Sequence, residues 1–306
     1  MGSFSSLASP SATRAVLDRH GLAAKYSLGQ NFLVNEDVLR KIIELAEVSS
    51  EDLVLEVGPG IGTLTVALLS HASRVAAVER DADLPPVLSE TTAPWADSFS
   101  LIQKDALDLS NADLDEALKG ARPNKLVANL PYAVAATVVL DYFERFPSLE
   151  SATVMVQKEV ADRMAAKPGT KSYGAYTVKL RLHAEPTGRF AVGPGNFFPP
   201  PRVDSAVVRL DRRSLVGADG LPIAPDVVRA ACTMADAAFA SRRKTLANSC
   251  KTYFSGRGEQ GKAVAARLPG LFTEAGVDPK RRGETLELHE FIALGSSFRK
   301  AFPETA

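Results

Sequence analysis

Four consecutive residues, Asn129-Leu130-Pro131-Tyr132, bring together groups that suit a planar amine. The Asn129 amide oxygen and the Leu130 or Pro131 carbonyl can accept its two N–H bonds, and Tyr132 offers a ring face for stacking. They follow an apolar run, Lys125-Leu126-Val127-Ala128, that reads as a short buried strand. Pro131 has no N–H and so ends any ladder that reaches it. The tetrapeptide is therefore expected at the carboxyl end of a strand, where open α/β sheets bind ligands. Taken alone, such a motif is more often a strand-ending turn with a core tyrosine.

It does not stand alone. Gly58-Pro59-Gly60-Ile61-Gly62 interrupts a predicted strand over 52–57, and helical spacing follows from Thr63 to Leu69. Strand, glycine loop and helix form a nucleotide-binding half-unit, in which glycines let the backbone approach a ligand closely. The spacing is Gly-x-Gly-x-Gly, not the Gly-x-Gly-x-x-Gly of a dinucleotide fingerprint, and Glu56 beside the loop would repel a pyrophosphate. A ligand with a cationic, phosphate-free end fits better, and S-adenosylmethionine carries a sulfonium and an ammonium. Glu79 closes a second strand over 74–79, 17 residues beyond Gly62, where such folds grip ribose hydroxyls. Asp105 follows a third strand, 98–103, and could accept the exocyclic amine of an adenine. Acids or amides thus stand at four successive strand ends: Glu56, Glu79, Asp105 and Asn129.

The elements that must position these groups follow from periodicity and punctuation. Leu28-Gly29-Gln30-Asn31-Phe32-Leu33 reads as a loop packing Phe32 and Leu33 into the core, and nothing local explains Gln30-Asn31. Asn35 caps a helix with an apolar stripe of Val38, Leu39, Ile42, Ile43 and Ala46. Pro85-Pro86 is expected to cut the next helix short. A helix over 134–146, a strand over 152–157 and a mobile basic loop over 158–173 follow. Phe197-Phe198-Pro199-Pro200-Pro201 reads as two exposed aromatics on a stiff polyproline segment, a platform for a splayed base. A last strand spans 206–210. Beyond Arg213 the pattern changes to a Gly217–Gly220 linker and several amphipathic helices, with basic clusters at Arg242-Arg243-Lys244 and Lys280-Arg281-Arg282. There are no internal repeats.

With 306 residues, 45% of them hydrophobic, the chain can bury a large core and is expected to form two domains. No apolar run approaches the roughly 18 residues of a membrane span. The first residues lack the basic-then-apolar pattern of a secretory signal; Met1-Gly2-Ser3-Phe4-Ser5-Ser6 fits only the loose myristoylation pattern. Residues 1–12 read as a frayed end. Cys232 and Cys250 have no metal-like spacing, so no metal is expected, and the compartment is read as cytoplasmic. Lys plus Arg equals Asp plus Glu, 36 of each, so the total says nothing about a polyanionic partner. From Asp211 onward there are 15 basic and 11 acidic residues, a balance of +4 that leaves −4 on the rest.

The ordered set of these motifs, from Leu28-Gly29-Gln30-Asn31-Phe32-Leu33 through Ser241-Arg242-Arg243-Lys244, resembles the small-subunit ribosomal RNA adenine dimethyltransferase family. The Asn-Leu-Pro-Tyr motif alone is shared by many amino-methyltransferases; the whole series is far more specific. The resemblance implies an α/β fold, a Rossmann-like class I S-adenosylmethionine-dependent methyltransferase domain over 25–212 after a flexible extension over 1–24. A small all-α RNA-binding domain over 213–306 would follow. It implies cofactor contacts at Asn31, Leu33, Gly58, Glu79, Asp105 and Asn129. Catalysis would rest on Asn129, Leu130, Pro131 and Tyr132, base stacking on Tyr132, Phe197 and Phe198, and RNA binding on Arg242, Arg243 and Lys244. The implied reaction is dimethylation of adenine N6 in 16S rRNA within a pre-30S particle, by a monomer with no membrane partner. Lys104 departs from the family's common Gly before the Asp, which puts the adenine pocket's shape in question. Two rivals remain: a large-subunit rRNA adenine methyltransferase, and a mainly non-catalytic assembly factor.

Overall fold

Aliphatic runs buried on both faces build the sheet of the first of two units. The computed structural model describes residues 4–25, 28–217 and 220–303. One unit comprises Met1–Ala161 and Pro186–Arg212, the other Asp162–Glu185 and Arg213–Ala306. The strands are β1 (Phe32–Leu33), β2 (Leu53–Val57), β3 (Arg74–Glu79), β4 (Phe99–Gln103), β5 (Lys125–Asn129), β6 (Ser151–Gln157), β7 (Ala184–Val192), β8 (Phe197–Phe198) and β9 (Ser205–Arg212).

Seven of them form one sheet in the order β4-β3-β2-β5-β6-β9-β7. β4 through β6 are parallel, and β9 runs antiparallel to β6. The order reverses between β2 and β5, which pair at Val54–Lys125 and Leu55–Leu126. At such a switch point the connections leave to opposite sides, and a crevice opens past the strands' carboxyl ends. Val54, Leu55, Val75, Ala76, Val127 and Val154 are fully buried, as a sheet covered on both faces requires.

Several expectations need correction. Residues 4–24 are not a flexible extension. Ser9 caps a helix, Pro10–Arg19, that buries Val16 and Leu17, and these pack with Leu7, Phe32, Ile61 and Leu84. Residues 1–3 lie outside those described. Pro85-Pro86 does not shorten the next helix but opens it, occupying the first turn of Pro85–Thr91, where a missing N–H leaves no hydrogen bond unmade. Lys158–Met164 is a helix rather than the start of a mobile loop. The segment 162–185 belongs to the second unit, so the expected 25–212 domain is interrupted. β7 escaped notice because Pro186 and Gly188 argue against a strand; it stands at the sheet's edge, where both are tolerated. Half of the expected Gly217–Gly220 linker lies outside the described residues.

Moving 162–185 into the second unit sharpens the charge asymmetry. That unit carries 19 basic and 12 acidic residues, the first 17 and 24. Among the described residues, no helix is long and apolar enough to cross a membrane.

The second unit is built on small side chains. Helix Pro225–Phe239 buries Ala230, Ala231, Met234, Ala235, Ala237 and Ala238, and helix Leu288–Ala301 lays Gly295 directly against it. A Cβ on Gly295 would stand 2.6 Å from the Ala231 backbone nitrogen and 2.8 Å from its Cβ. Gly295→Ala must therefore push two helices apart, at a cost of about 1–3 kcal/mol. Urea unfolding of the variant should show a lower midpoint; an unchanged midpoint would refute the close contact.

Candidate active site

The carboxyl ends of β2, β3, β4 and β5 deliver their polar residues to one cavity of about 330 Å³. Its lining includes every residue expected to hold a cofactor: Asn31, Leu33, Gly58, Glu79, Asp105 and Asn129. Leu130, Pro131 and Tyr132 complete the wall.

Gly58 explains why the glycine loop must be where it is. Its φ is +71°, and a Cβ there would lie 3.4 Å from Pro131 Cδ and 3.8 Å from the Asn129 carbonyl oxygen. The loop backbone thus rests directly on the Asn-Leu-Pro-Tyr turn, with the Gly58 N–H donating to the Val78 carbonyl at 2.9 Å. Gly60, at φ +59°, faces the Phe32 ring, whose atoms would be 3.1 Å from an added Cβ.

The Asn129 side chain is oriented. Its Nδ2 donates to the Asn31 carbonyl at 3.2 Å, while its Oδ1 accepts no hydrogen bond among the described residues. The Leu130 N–H donates to the Met155 carbonyl at 3.1 Å. Of the two carbonyls considered from sequence, that of Pro131 is taken, accepting from Val134 and Ala135 at the start of helix Ala135–Arg145. No backbone N–H of the described residues donates to the Leu130 carbonyl. Two acceptors, Asn129 Oδ1 and Leu130 O, are therefore left for an incoming amine. Tyr132 is half-buried with its hydroxyl 2.7 Å from Ser205 Oγ, and burial raises its pKa, so it stays a neutral ring.

Gln30-Asn31 now has a cause. Gln30 Nε2 donates to Asp81 at 2.7 Å and its Oε1 accepts from the Lys25 N–H; Lys25 Nζ reaches Asp81 and Asp83, both at 2.6 Å. This cluster fixes the loop that presents the Asn31 carbonyl to Asn129. Asp81 also donates its N–H to Glu79 at 2.8 Å, tying the loop to the β3 carboxylate. Lys104 is engaged elsewhere, its Nζ 2.8 and 2.9 Å from the Asp113 carboxylate oxygens, and that contact holds the Asp113 carboxyl down to about 2. Asp105 accepts from Leu107 N–H at 3.0 Å and from Arg80 at 3.2 Å, a partner the strand-end pattern did not reveal.

The aromatic platform is corrected. Phe197 is only 4% exposed, packed among Leu33, Leu39 and Val192, because β8 pairs with β1 at Leu33–Phe197 and Phe32–Phe198. Phe198 is half-buried beneath the Arg14 guanidinium, 5.3 Å from its ring centre. Neither ring lines the cavity. In the second unit, Arg242 pairs with Glu284 at 2.8 Å and donates to the Thr170 carbonyl, and Lys244 reaches Thr252; Arg243 is exposed with no partner among the described residues.

The cavity's charge was only half read from sequence. Glu56 is 1% exposed and its Oε2 has no hydrogen-bond partner. Desolvation pushes its carboxyl up to about 8; the neighbouring Thr65 hydroxyl opposes the shift and the like charge of Glu79 adds to it. Burial raises Glu79 as well. An orphaned buried carboxyl beside a glycine loop suits a cation, so the residues fit the sulfonium and ammonium of S-adenosylmethionine. Without a cation, Glu56 favours the protonated fold. Its contribution is fully present below its unfolded pKa, about 4.3, and is lost as pH rises through about 8. The Glu56→Gln variant lacks this loss. Thermal unfolding of the ligand-free proteins should show the variant gaining on wild type between about pH 5 and 8; a constant difference would show that Glu56 is ionised throughout.

The comparisons with known proteins agree with this geometry. The family model for ribosomal RNA adenine dimethylase matches residues 21–294. The ribosomal RNA small subunit methyltransferase A of Enterococcus faecalis is 39% identical, covering 99% of this chain and 100% of that protein. The Geobacillus kaustophilus protein of the same name is 38% identical, over 98% and 99%. Among solved structures, a dimethyladenosine transferase from Plasmodium falciparum superposes with a TM-score of 0.69 at 23% identity, over 88% of this chain and 98% of that one. The 23S rRNA methyltransferase ErmE gives 0.62 at 24% identity, over 88% and 99%. Both show a shared fold, and the fold is that of a class I methyltransferase. With near full-length relatives and the matching family model, this chain belongs to the ribosomal RNA adenine dimethylase family.

Proposed function

We propose that this enzyme uses S-adenosylmethionine to dimethylate N6 of two adjacent adenines near the 3′ end of 16S rRNA, acting as a cytoplasmic monomer on the assembling small subunit. The observation that carries the chemistry is the pair of open acceptors, Asn129 Oδ1 and Leu130 O. The small-subunit assignment is supported by relatives of that name that align over nearly the whole chain.

The cofactor, when bound, supplies a methyl carbon made electrophilic by its sulfonium. Glu56, Glu79, Asp105, Asn31 and the Gly58 backbone would hold it, the carboxylates matching its cationic and hydroxyl-bearing parts. Adenine N6 is a poor nucleophile because its lone pair is delocalised into the ring. Accepting its two N–H bonds at Asn129 Oδ1 and Leu130 O draws the nitrogen out of the ring plane and frees the lone pair for in-line attack. Asn129 loses little on engagement, since its amide is already held by Asn31. No side chain is needed as a base, because N6 becomes acidic once alkylated and releases its proton to water. Tyr132 stacks on the base. The second transfer requires the first methyl to rotate out of line, leaving N6 one N–H to donate.

Asn129→Ala removes one acceptor and should lower kcat by about 10²–10³ while leaving cofactor affinity nearly unchanged. Methyl transfer from labelled S-adenosylmethionine to undermethylated small and large subunits, followed by nucleoside analysis, tests both points. Dimethyladenosine confined to small-subunit RNA is the expected product. Label in large-subunit RNA, or wild-type turnover by Asn129→Ala, would overturn the reading.

A further inference from the structure

The second unit holds a cavity of its own, open to solvent and about 740 Å³ in volume. Its walls come from residues 166–168, the end of helix Ala175–Arg181, residues 213–216 and the start of helix Leu288–Ala301. Lys167, Arg181, Arg213 and His289 line it, and Glu287 is the acid among the lining residues. Glu287 is already engaged, its carboxylate accepting from the N–H three residues on in a capping box. Arg213 reaches an acid only at 3.7 Å, that of Glu185. Lys167 has no ion pair among the described residues.

Arg181 is the telling residue. Its Nε is buried without a hydrogen-bond partner, and the guanidinium forms no ion pair among the described residues. Burial, and then the like charge of Arg213, lower its pKa. A desolvated guanidinium beside a second one is unfavourable; the charge of Glu185 opposes this only in part, since no carboxylate among the described residues pairs with Arg181. Two planar donor forks on the wall of a cavity this size fit an oxyanion, and above all a phosphate, which takes paired N–H bonds from each fork.

We propose that this cavity binds a phosphate of the RNA substrate's backbone, with Arg181 and Arg213 as the forked donors and Lys167 beside them. The proposal rests on the reading of RNA as substrate and adds a specific anchoring point to it. It also differs from the basic cluster that stands out in the sequence, where Arg242 is already neutralised by Glu284.

The test compares the full-length wild type with Arg181→Gln/Arg213→Gln and with Arg243→Gln/Lys244→Gln. Affinity for undermethylated small-subunit RNA is measured over roughly 50–200 mM salt. The Arg181→Gln/Arg213→Gln variant should bind about tenfold more weakly or worse, and its plot of log affinity against log salt should flatten by about 0.7–0.9 for each phosphate lost. Arg181→Lys, which keeps the charge but not the fork, should fall between. Binding of S-adenosylmethionine should be unchanged, and ligand-free Arg181→Gln should melt no lower than wild type, since no bond is removed. A lower melting temperature would make Arg181 a structural residue and overturn the proposal. So would a wild-type salt slope in the paired variant while Arg243→Gln/Lys244→Gln still flattens it, a result that leaves RNA as substrate intact. Inorganic phosphate at constant ionic strength supplies the other arm. If it raises the melting temperature of wild type but not of the paired variant, with RNA binding unaltered, the cavity serves a free anion and the RNA assignment falls. Wild type that binds cofactor but shows no salt-dependent RNA affinity would instead sink the reading of RNA as substrate.

Discussion

The site depends on two backbones meeting closely at the switch point of the sheet. β2 and β5 are neighbours whose connections diverge, and past their ends the glycine loop lies on the Asn129–Tyr132 turn, with Gly58 3.4 Å from Pro131 where a Cβ would be. A Cβ at Gly58 would just touch the turn, but its positive φ would strain any side chain placed there. Pro131 is suited to the same place, since it ends the strand without leaving a buried N–H unpaired. The loop that carries Asn31 closes the third side and is itself pinned through Gln30 and Lys25 to Asp81. From these contacts the direction of the Asn129 amide follows: its nitrogen is satisfied by Asn31, so its oxygen is presented to the cavity.

The electrostatics of the cavity oppose its own stability. Glu56 and Glu79 are held where burial favours their protonated forms, and one Glu56 oxygen has no partner. A core designed only for stability would place an apolar group at Glu56. A carboxyl held in this way loses nothing further to desolvation when a cation arrives, and its ionisation then becomes favourable. The same logic runs through Arg181 with the sign reversed: an unfavourable, unpaired charge is intelligible where a ligand completes it.

Much of this was legible in the sequence because the signals are local. Apolar runs ended by glycine, proline or a polar residue gave the parallel strands and their order of use, and the four polar strand ends gave the cavity wall. What was not legible depends on tertiary pairing. Two adjacent phenylalanines followed by three prolines look exposed in one dimension, yet Phe197 is buried because a two-residue ladder forms with Leu33, 164 positions away. The helix over Pro10–Arg19 has its cap and proline in plain view at Ser9 and Pro10, but its apolar face is meaningful only once Phe32 and Leu84 are known to lie under it. That Asp162–Glu185 joins the second unit follows from packing of Tyr173, Val178 and Leu182 with distant helices, which periodicity does not report.

The charge distribution resolves a difficulty that composition raises. A chain with 36 acidic and 36 basic residues has no net attraction for a polyanion. Divided by unit, it has: 24 acids against 17 bases in the first, 12 against 19 in the second. Cofactor and proposed RNA substrate carry opposite charges, and a single field cannot favour both. A Debye length of about 8–10 Å at ordinary salt lets each cavity act through its own neighbours rather than through the total. The carboxylates that suit a sulfonium are therefore concentrated in one unit and the cations that suit phosphate in the other. On this reading, the zero net charge is the sum of two opposed requirements rather than the absence of either.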